Sequence, residues 1–317
     1  MNFVGIDVGG TKILAIRLED DGRLGDPSPQ PTRKGSADEL VDQIAEVIED
    51  LRDADTRAVG VGIPSAVDFS TGSAKSGVNV PLQGVPLRNL LTQRLGLPVF
   101  VDNDANVAAL AEAHEGGRLT CPNLVMFTVG TGVGGGLVLD GRLFRGATGA
   151  GAEMGHILIG LDLSDGAPPA APTFPQPGSL EALASGTALD RLAQAAAAAH
   201  PDGGLGRAAA GGATVSGADV VRLSQEGDAE AGELMRVLGE RLGVGIASAI
   251  NLFDPDEVVI GGGVATAGDL LLAPARRAAQ GYVLTGVGER TTIRLARHGV
   301  RAGVYGAALL AVQEAVR

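Results

Sequence analysis

One structural device is written twice in this chain, and it narrows the fold more than any other feature. Residues 3–22 run from an apolar stretch, Phe3 to Asp7, through the tip Gly9-Gly10-Thr11 to a second apolar stretch, Ile13 to Leu18, and an Asp21-Gly22 turn. Residues 124–141 repeat that order: Leu124 to Val129, a glycine run from Gly130 to Gly136, then Leu137 to Leu139 and Asp140-Gly141. Each reads as a β-hairpin with a glycine-rich tip. Two copies of one unit predict a chain of duplicated halves.

The segments around the hairpins alternate between strand and helix patterns, which predicts an α/β fold. Leu40, Ile44, Val47, Ile48 and Leu51 have helical spacing within Ala37 to Arg52, and Ser36 is a plausible N-cap. Ala58 to Ile63 and Pro98 to Val101 read as buried strands, and a helix from Asn106 to Glu115 is expected to close at Gly116-Gly117. Ser179 to Ala199 and Asp228 to Leu252 read as helices, separated by a loop at 199–214 and preceded by a Pro/Ala/Gly-rich loop at 160–178. Glu257 to Ile260 is a predicted strand, Gly261-Gly262-Gly263 leads into another helix, and Tyr305 to Val316 forms the last helix.

Glycine tips of this kind suit phosphate. Backbone N–H groups reach an anion only where side chains stay clear, and glycine permits the approach. Gly9, Gly10, Gly132 and Gly134 are the candidate cradle residues, with Thr11 and Thr131 adding hydroxyl donors. Asp7, just before the first tip, is a candidate oxygen ligand for Mg²⁺. Lys12 is either a solvated hairpin residue or a phosphate contact. Neither tip is GxxxxGK[ST], so the chain is not a P-loop NTPase. Gly130, Gly132 and Gly135 fit Gly-x-Gly-x-x-Gly, but a strand follows where a dinucleotide site needs a helix. The bland alternative is two tight turns with no ligand.

Composition excludes several other classes. The 317 residues carry a formal net charge of −12, which argues against a nucleic-acid partner. Only 3% of residues are aromatic and Trp is absent, so the core must be built from Ala, Val, Leu and Ile. Cys121 is the single cysteine, which rules out an intrachain disulfide and any multi-cysteine metal site. The chain has no apolar run of ~18 residues and no basic start leading into an apolar stretch. A cytoplasmic protein with no membrane partner is therefore expected.

Five blocks in this order resemble the ROK family of bacterial sugar kinases, glucokinases and related repressors. They are Gly5-Ile6-Asp7-Val8-Gly9-Gly10-Thr11-Lys12, Asp102-Asn103-Asp104-Ala105-Asn106, Gly130 to Gly136, Glu153-Met154-Gly155-His156, and Val259-Ile260-Gly261-Gly262-Gly263-Val264. Two weaker blocks span 181–186 and 302–308. The resemblance implies an actin-like, ribonuclease H-like ATPase fold with two lobes and an interlobe cleft. On that basis the small lobe is expected at 1–116, with the C-terminal helix at about 303–317 returning to it, and the large lobe at 117–302.

The same resemblance implies ATP with Mg²⁺ as phosphoryl donor and a hexose as acceptor, glucose at its 6-hydroxyl first. Amino- or N-acetylamino-hexoses and fructose follow, polyphosphate is a possible alternative donor, and a homodimer is expected. It makes Asp104 the catalytic base, and Gly77, Asn79, Asn103, Glu153, His156 and Glu181 sugar contacts. Gly261, Gly262 and Gly263 would lie against the adenosine. The chemistry is coherent, because a sugar hydroxyl needs a carboxylate to accept its proton. Read without the resemblance, Asp102 and Asp104 are better explained as caps for the helix that follows, and a lone His156 is an ordinary structural histidine.

Two departures from the family pattern stand out. Most of the family carries a zinc site built from the histidine of the Glu-x-Gly-His block and three cysteines, and here Ser179 stands where the last cysteine would be. Zn²⁺ needs about four ligands, so a zinc-free member is expected, with some other packing ordering residues 157–180. The family's repressors also carry an N-terminal helix-turn-helix domain. This chain begins at the first glycine hairpin, which favours an enzyme over a non-catalytic sugar-binding regulator.

Overall fold

A computed structural model of the chain describes residues 1–77 and 79–315. The first hairpin opens a five-stranded sheet: β1 (Asn2–Val8), β2 (Lys12–Glu19), β3 (Ser28–Pro31), β4 (Thr56–Ile63) and β5 (Val99–Asn103). Spatial order is β3-β2-β1-β4-β5. β1 and β2 are antiparallel, with Val8 opposite Ile13, while β4 runs parallel to both β1 and β5. Alternation along β1 assigns its two faces. Val4, Ile6 and Val8 enter a core with Leu40, Ile44 and Ile48 of helix α1 (Ala37–Leu51) and Leu87 and Leu91 of helix α2 (Leu87–Leu95).

Phe3, Gly5 and Asp7 take the other face of β1. The C-terminal helix, Ala302–Ala315, packs there so closely that only glycine fits beneath it. A Cβ on Gly60 of β4 would lie 1.8 Å from Ala307 O, and one on Gly5 would lie 2.3 Å from Val304 O. Helix α3 (Asp104–Glu112) begins where β5 ends, and Gly306 of the C-terminal helix meets its Val107 carbonyl.

The second sheet holds β6 (Leu124–Val129), β7 (Val133–Leu139), β8 (Arg142–Leu143), β9 (Glu257–Gly261) and β10 (Thr292–Leu295), in the order β8-β7-β6-β9-β10. Its helices are α4 (Leu180–Ala184), α5 (Gly186–Ala199), α6 (Gly204–Ala208), α7 (Gly217–Gln225), α8 (Ala229–Phe253) and α9 (Asp269–Tyr282). No helix among the described residues is long and apolar enough to cross a membrane.

The chain forms two compact units. One comprises Met1–Leu124, Gly136–Ala152 and Arg297–Arg317, the other Val125–Gly135 and Glu153–Ala296. Residues 117–124, 136–152 and 297–302 thus belong to the first unit, where the sequence suggested the large lobe. Specific contacts hold them there: Gly136 lies against Ala105 and Ala109 of α3, Arg145 bonds Asp102, and the Arg297 and His298 amides donate to Glu112 Oε1 at 2.9 Å.

Local readings also need correction. α3 starts at Asp104 and ends at Glu112, and Gly116-Gly117 is not its cap. The two glycines have φ of 55° and 75° and turn a small ribbon pairing His114–Glu115 with Arg118–Leu119, a task that demands left-handed backbone. The helix expected over Ser179 to Ala199 breaks at Ser185, whose extended backbone ends α4 and whose hydroxyl caps α5 through Ala188 N–H. The supposed loop at 199–214 contains α6.

Candidate active site

In the first unit the site grows from the parity of β1. Asp7, on the helix-covered face, ends beside the N-terminus of the C-terminal helix, where a Cβ on Gly303 would lie 2.5 Å from Asp7 Oδ2. The adjoining tip is closed by the Gly9 N–H donating to Lys12 O at 2.9 Å and tied down by Thr32 Oγ1 donating to Gly9 O at 2.7 Å. Thr11 and Lys12 are exposed, and Asn79 abuts the tip, its Cβ 3.2 Å from where a Cβ on Gly10 would be. Gly77 instead packs on Val80 and Gln83.

Asp104 opens α3, and neither it nor Asp102 is the cap. Asn103 is: its Oδ1 accepts the Ala105 and Asn106 N–H groups at 2.9 and 3.2 Å, and its Nδ2 donates to Ser65 O at 3.3 Å. Asp104 is left as a half-buried carboxylate without an ion-pair partner among the described residues. Burial pushes its carboxyl above the usual carboxylate range, against hydrogen bonds from Ala105 N–H and Asn103. Asp7 is pushed up to about 6, first by burial and then by the nearby charge of Asp104, with Lys12 opposing. Two part-buried carboxylates thus have raised proton affinity, Asp7 in part through the charge of Asp104. They fit Mg²⁺, a hard ion that prefers oxygen ligands.

In the second unit the tip is Gly130-Thr131-Gly132, with Gly130 N–H donating to Gly132 O at 2.9 Å. The glycines after it, Gly134 included, lie inside β7 because the strand begins at Val133. Two elements brace the tip. Gly186 N–H, at the start of α5, donates to Gly130 O at 2.7 Å, and Thr187 Oγ1 donates to Thr131 O at 2.8 Å. Glu181 Oε2 accepts Val133 N–H at 2.8 Å and sits where a side chain on Gly132 would go. Glu181 therefore supports the hairpin. The side chains of Glu153 and His156 lie 3.9 Å apart, and Gly155 between them in the chain packs on Val133 O.

A cavity of about 540 Å³ opens beside this tip, within the size range of small-molecule sites. Gly130 and Thr131 form one wall, Thr187, Leu189 and Asp190 of α5 another, and Val221, Arg222 and Gln225 of α7 a third. Gly263, Val264 and Thr266 complete it. Of the three consecutive glycines only Gly263 faces the cavity. Gly261 packs on Met126, and Gly262 crosses Val129 O too closely for a side chain. The α7 wall was not anticipated. The Ser216/Asp219 capping box announces that helix, since each residue bonds the other's backbone, but nothing local tells which face meets a ligand.

Set beside known protein families, residues 3–314 match the ROK family. The chain belongs to the ROK family. It is 33% identical to a glucokinase of Halalkalibacterium halodurans, covering 98% of this chain and 95% of that one. Among solved structures it resembles a ROK hexokinase from Thermus thermophilus, with a TM-score of 0.79, 37% identity and 99% of each chain covered. It also resembles a ROK family glucokinase from Streptomyces griseus in complex with glucose and AMPPNP, at a TM-score of 0.75 and 32% identity, covering 99% of this chain and 100% of that one. The actin-like ATPase fold of the ROK sugar kinases is thus the fold of this chain.

The zinc site expected of most ROK proteins does not fit the residues present. His156 Nδ1 is buried without a hydrogen-bond partner, which is where a metal would bind. Yet residues 157–179 contain neither Cys nor His, and the described residues hold no group of three His, Cys, Asp or Glu side chains able to bind a metal. Other contacts order the loop. Gln176 spans it, accepting Ala171 N–H at 2.7 Å and donating to Ala171 O at 2.8 Å. Ile159 N–H donates to Gly178 O at 2.8 Å, and Phe174 meets the His156 ring edge to face, centroids 5.3 Å apart.

Proposed function

We propose that this ROK protein is an ATP-dependent hexose kinase that phosphorylates glucose at its 6-hydroxyl. The observation that carries the reading is the Asp7–Asp104 pair, two part-buried carboxylates near enough for the charge of Asp104 to raise the proton affinity of Asp7. Asp104 accepts the proton of the 6-hydroxyl as the oxygen attacks the γ-phosphorus. The phosphoryl group passes to that oxygen and ADP leaves. Burial makes Asp104 a stronger base than an exposed aspartate, and positioned proton transfer of this kind contributes roughly 10²–10⁴-fold.

Asp7 would hold Mg²⁺, which supplies charge neutralisation to the nucleotide when bound. The cavity beside Gly130 and Thr131 suits the nucleoside: Leu189, Val221 and Val264 offer apolar surface, and Asp190 and Gln225 offer polar groups. Asn79 and the remaining donor of Asn103 are suited to sugar hydroxyls, as are Glu153, His156 and the Oε1 of Glu181.

An assay coupled to ADP release, run over glucose, glucosamine, N-acetylglucosamine and fructose, tests the proposal. Glucose is expected to give the highest kcat/KM. No turnover with any hexose, or an undiminished rate in Asp104→Asn, would sink it.

A further inference from the structure

Three ionisable side chains outside the proposed chemistry are sealed together in the first unit. Asp102 is 2% exposed, and the side chains of Arg145 and Glu314 are 11% and 3% exposed. Arg145 Nε donates to Asp102 Oδ2 at 2.5 Å, and its Nη2 donates to Glu314 Oε1 at 3.0 Å. The guanidinium also lies over the Phe69 ring, 3.7 Å from its centroid. Buried ion networks are poor sources of stability, because desolvation offsets most of the attraction. A sealed triad next to a reactive carboxylate calls for another explanation.

The bonds of Asp102 supply one. Its Oδ1 accepts Asn103 N–H at 2.8 Å and Asn106 Nδ2 at 2.9 Å. Those groups lie on either side of Asp104 in the chain, so one carboxylate clamps the peptide that carries the proposed base. The amide of Asn106 is turned so that its NH₂ meets Asp102, and its Oδ1 stays buried without a partner. The clamp therefore overrides local hydrogen-bond satisfaction. At its far end Arg145 grips Glu314 of the C-terminal helix, the helix whose first turn lies against Asp7. One guanidinium thus joins the segments bearing both carboxylates.

We propose that Arg145 is a positioning residue for phosphoryl transfer, fixing the Asp104 carboxylate through Asp102 and its place relative to Asp7 through Glu314. The proposal rests on the kinase reading above. It requires the forked geometry of arginine: a lysine keeps the charge but, as a point charge, does not hold both carboxylates in plane.

The test is a kinetic cycle on the full chain with MgATP and glucose, comparing wild type, Arg145→Lys, Asp104→Asn and the double variant, each checked by thermal melting. Arg145→Lys is expected to lower kcat roughly 10–100-fold, the scale of a misplacement of about 1 Å, with KM for ATP within about twofold. In the Asp104→Asn background the same substitution should change kcat less than about twofold, because the group it positions is already gone. A purely structural role would reduce both backgrounds alike, and that result, or an unaltered kcat in Arg145→Lys, overturns the proposal. If Arg145→Lys does not fold, Glu314→Gln runs the same cycle with the Arg145–Asp102 pair intact, and a loss of about threefold or more confined to the Asp104 background is the supporting result. Wild type inactive on every hexose would defeat the kinase reading, whereas active wild type with indifferent variants defeats only the role of Arg145.

Discussion

The two glycine hairpins are nearly the same object and sit in different chemistry. Each tip is closed by a 2.9 Å backbone hydrogen bond, from Gly9 N–H in one and Gly130 N–H in the other. Behind the first lie Asp7 and, near enough to act on it electrostatically, Asp104. Behind the second lie the start of α5, the Glu181 brace and a cavity walled by Leu189, Val221 and Val264. A duplicated backbone device thus gives two glycine-lined tips, and the elements packed behind them set their surroundings. On the proposed reading the first hairpin serves the chemical step and the second holds the nucleotide.

The largest expected effect divides those roles. Asp104→Asn should reduce kcat by roughly 10³-fold, within the span of general-base catalysis. Calorimetry should find ATP affinity changed by less than about twofold. A parallel loss of affinity would show that the two hairpins do not divide the work as described.

The second effect is on stability and belongs to the first hairpin alone. Asp7 is held at about 6 in the folded protein against an ordinary value of 3.8, so the folded state binds a proton more tightly than the unfolded one. Stability from this group is present below about pH 4 and lost as pH rises through about 6. Without Mg²⁺, Asp7→Asn should therefore be more stable than wild type at pH 7.5, by up to about 3 kcal/mol, and no more stable at pH 4. Urea titrations at both values check this. Adding Mg²⁺ should narrow the gap at pH 7.5, because an ion bound at Asp7 stabilises only the wild type.

A third change addresses the second hairpin. Val221→Trp places a large ring in the cavity, on the α7 wall facing away from the core. KM for ATP is expected to rise about tenfold or more, with KM for glucose within about twofold, since one blocked nucleoside subsite is worth at least about 1.4 kcal/mol. Unaltered KM for ATP would move the nucleoside elsewhere.

These predictions depend on features of unequal legibility. The hairpins and helix α8, expected at Asp228 to Leu252 and found at Ala229–Phe253, were visible because strand and helix periods and glycine placement are local signals. The cap at Asn103 was narrowly misread, since three adjacent polar residues can each cap a helix and only backbone direction selects one. Arg145 gave no signal. It follows Arg142 by three residues in a glycine-rich stretch, 43 residues from the Asp102 it holds and 169 from Glu314. The cavity wall on α7 was hidden for the same reason, because pairing of distant segments is decided by packing. The Gln176 clamp was invisible because the departure from the family showed only what was missing.

That clamp gives the smallest expected effect, and it bears on how far the second hairpin's support reaches. Gln176→Ala removes both bonds to Ala171, and with them the tie across residues 171–176. Two partly exposed hydrogen bonds are worth about 1–2 kcal/mol in total, so the melting temperature should fall only a few degrees. Proteolysis should become faster within residues 160–177, because a released loop is where cleavage concentrates. KM for glucose should rise a few-fold if Phe174 no longer seats His156, at the scale of one weakened polar contact. KM for ATP should not move, because Glu181 reaches Val133 from α4, whose own cap at Ser179 does not involve the Gln176 side chain. If KM for ATP rises with KM for glucose, the loop supports the nucleotide hairpin as well, and the second cradle depends on a wider shell than α5 and Glu181.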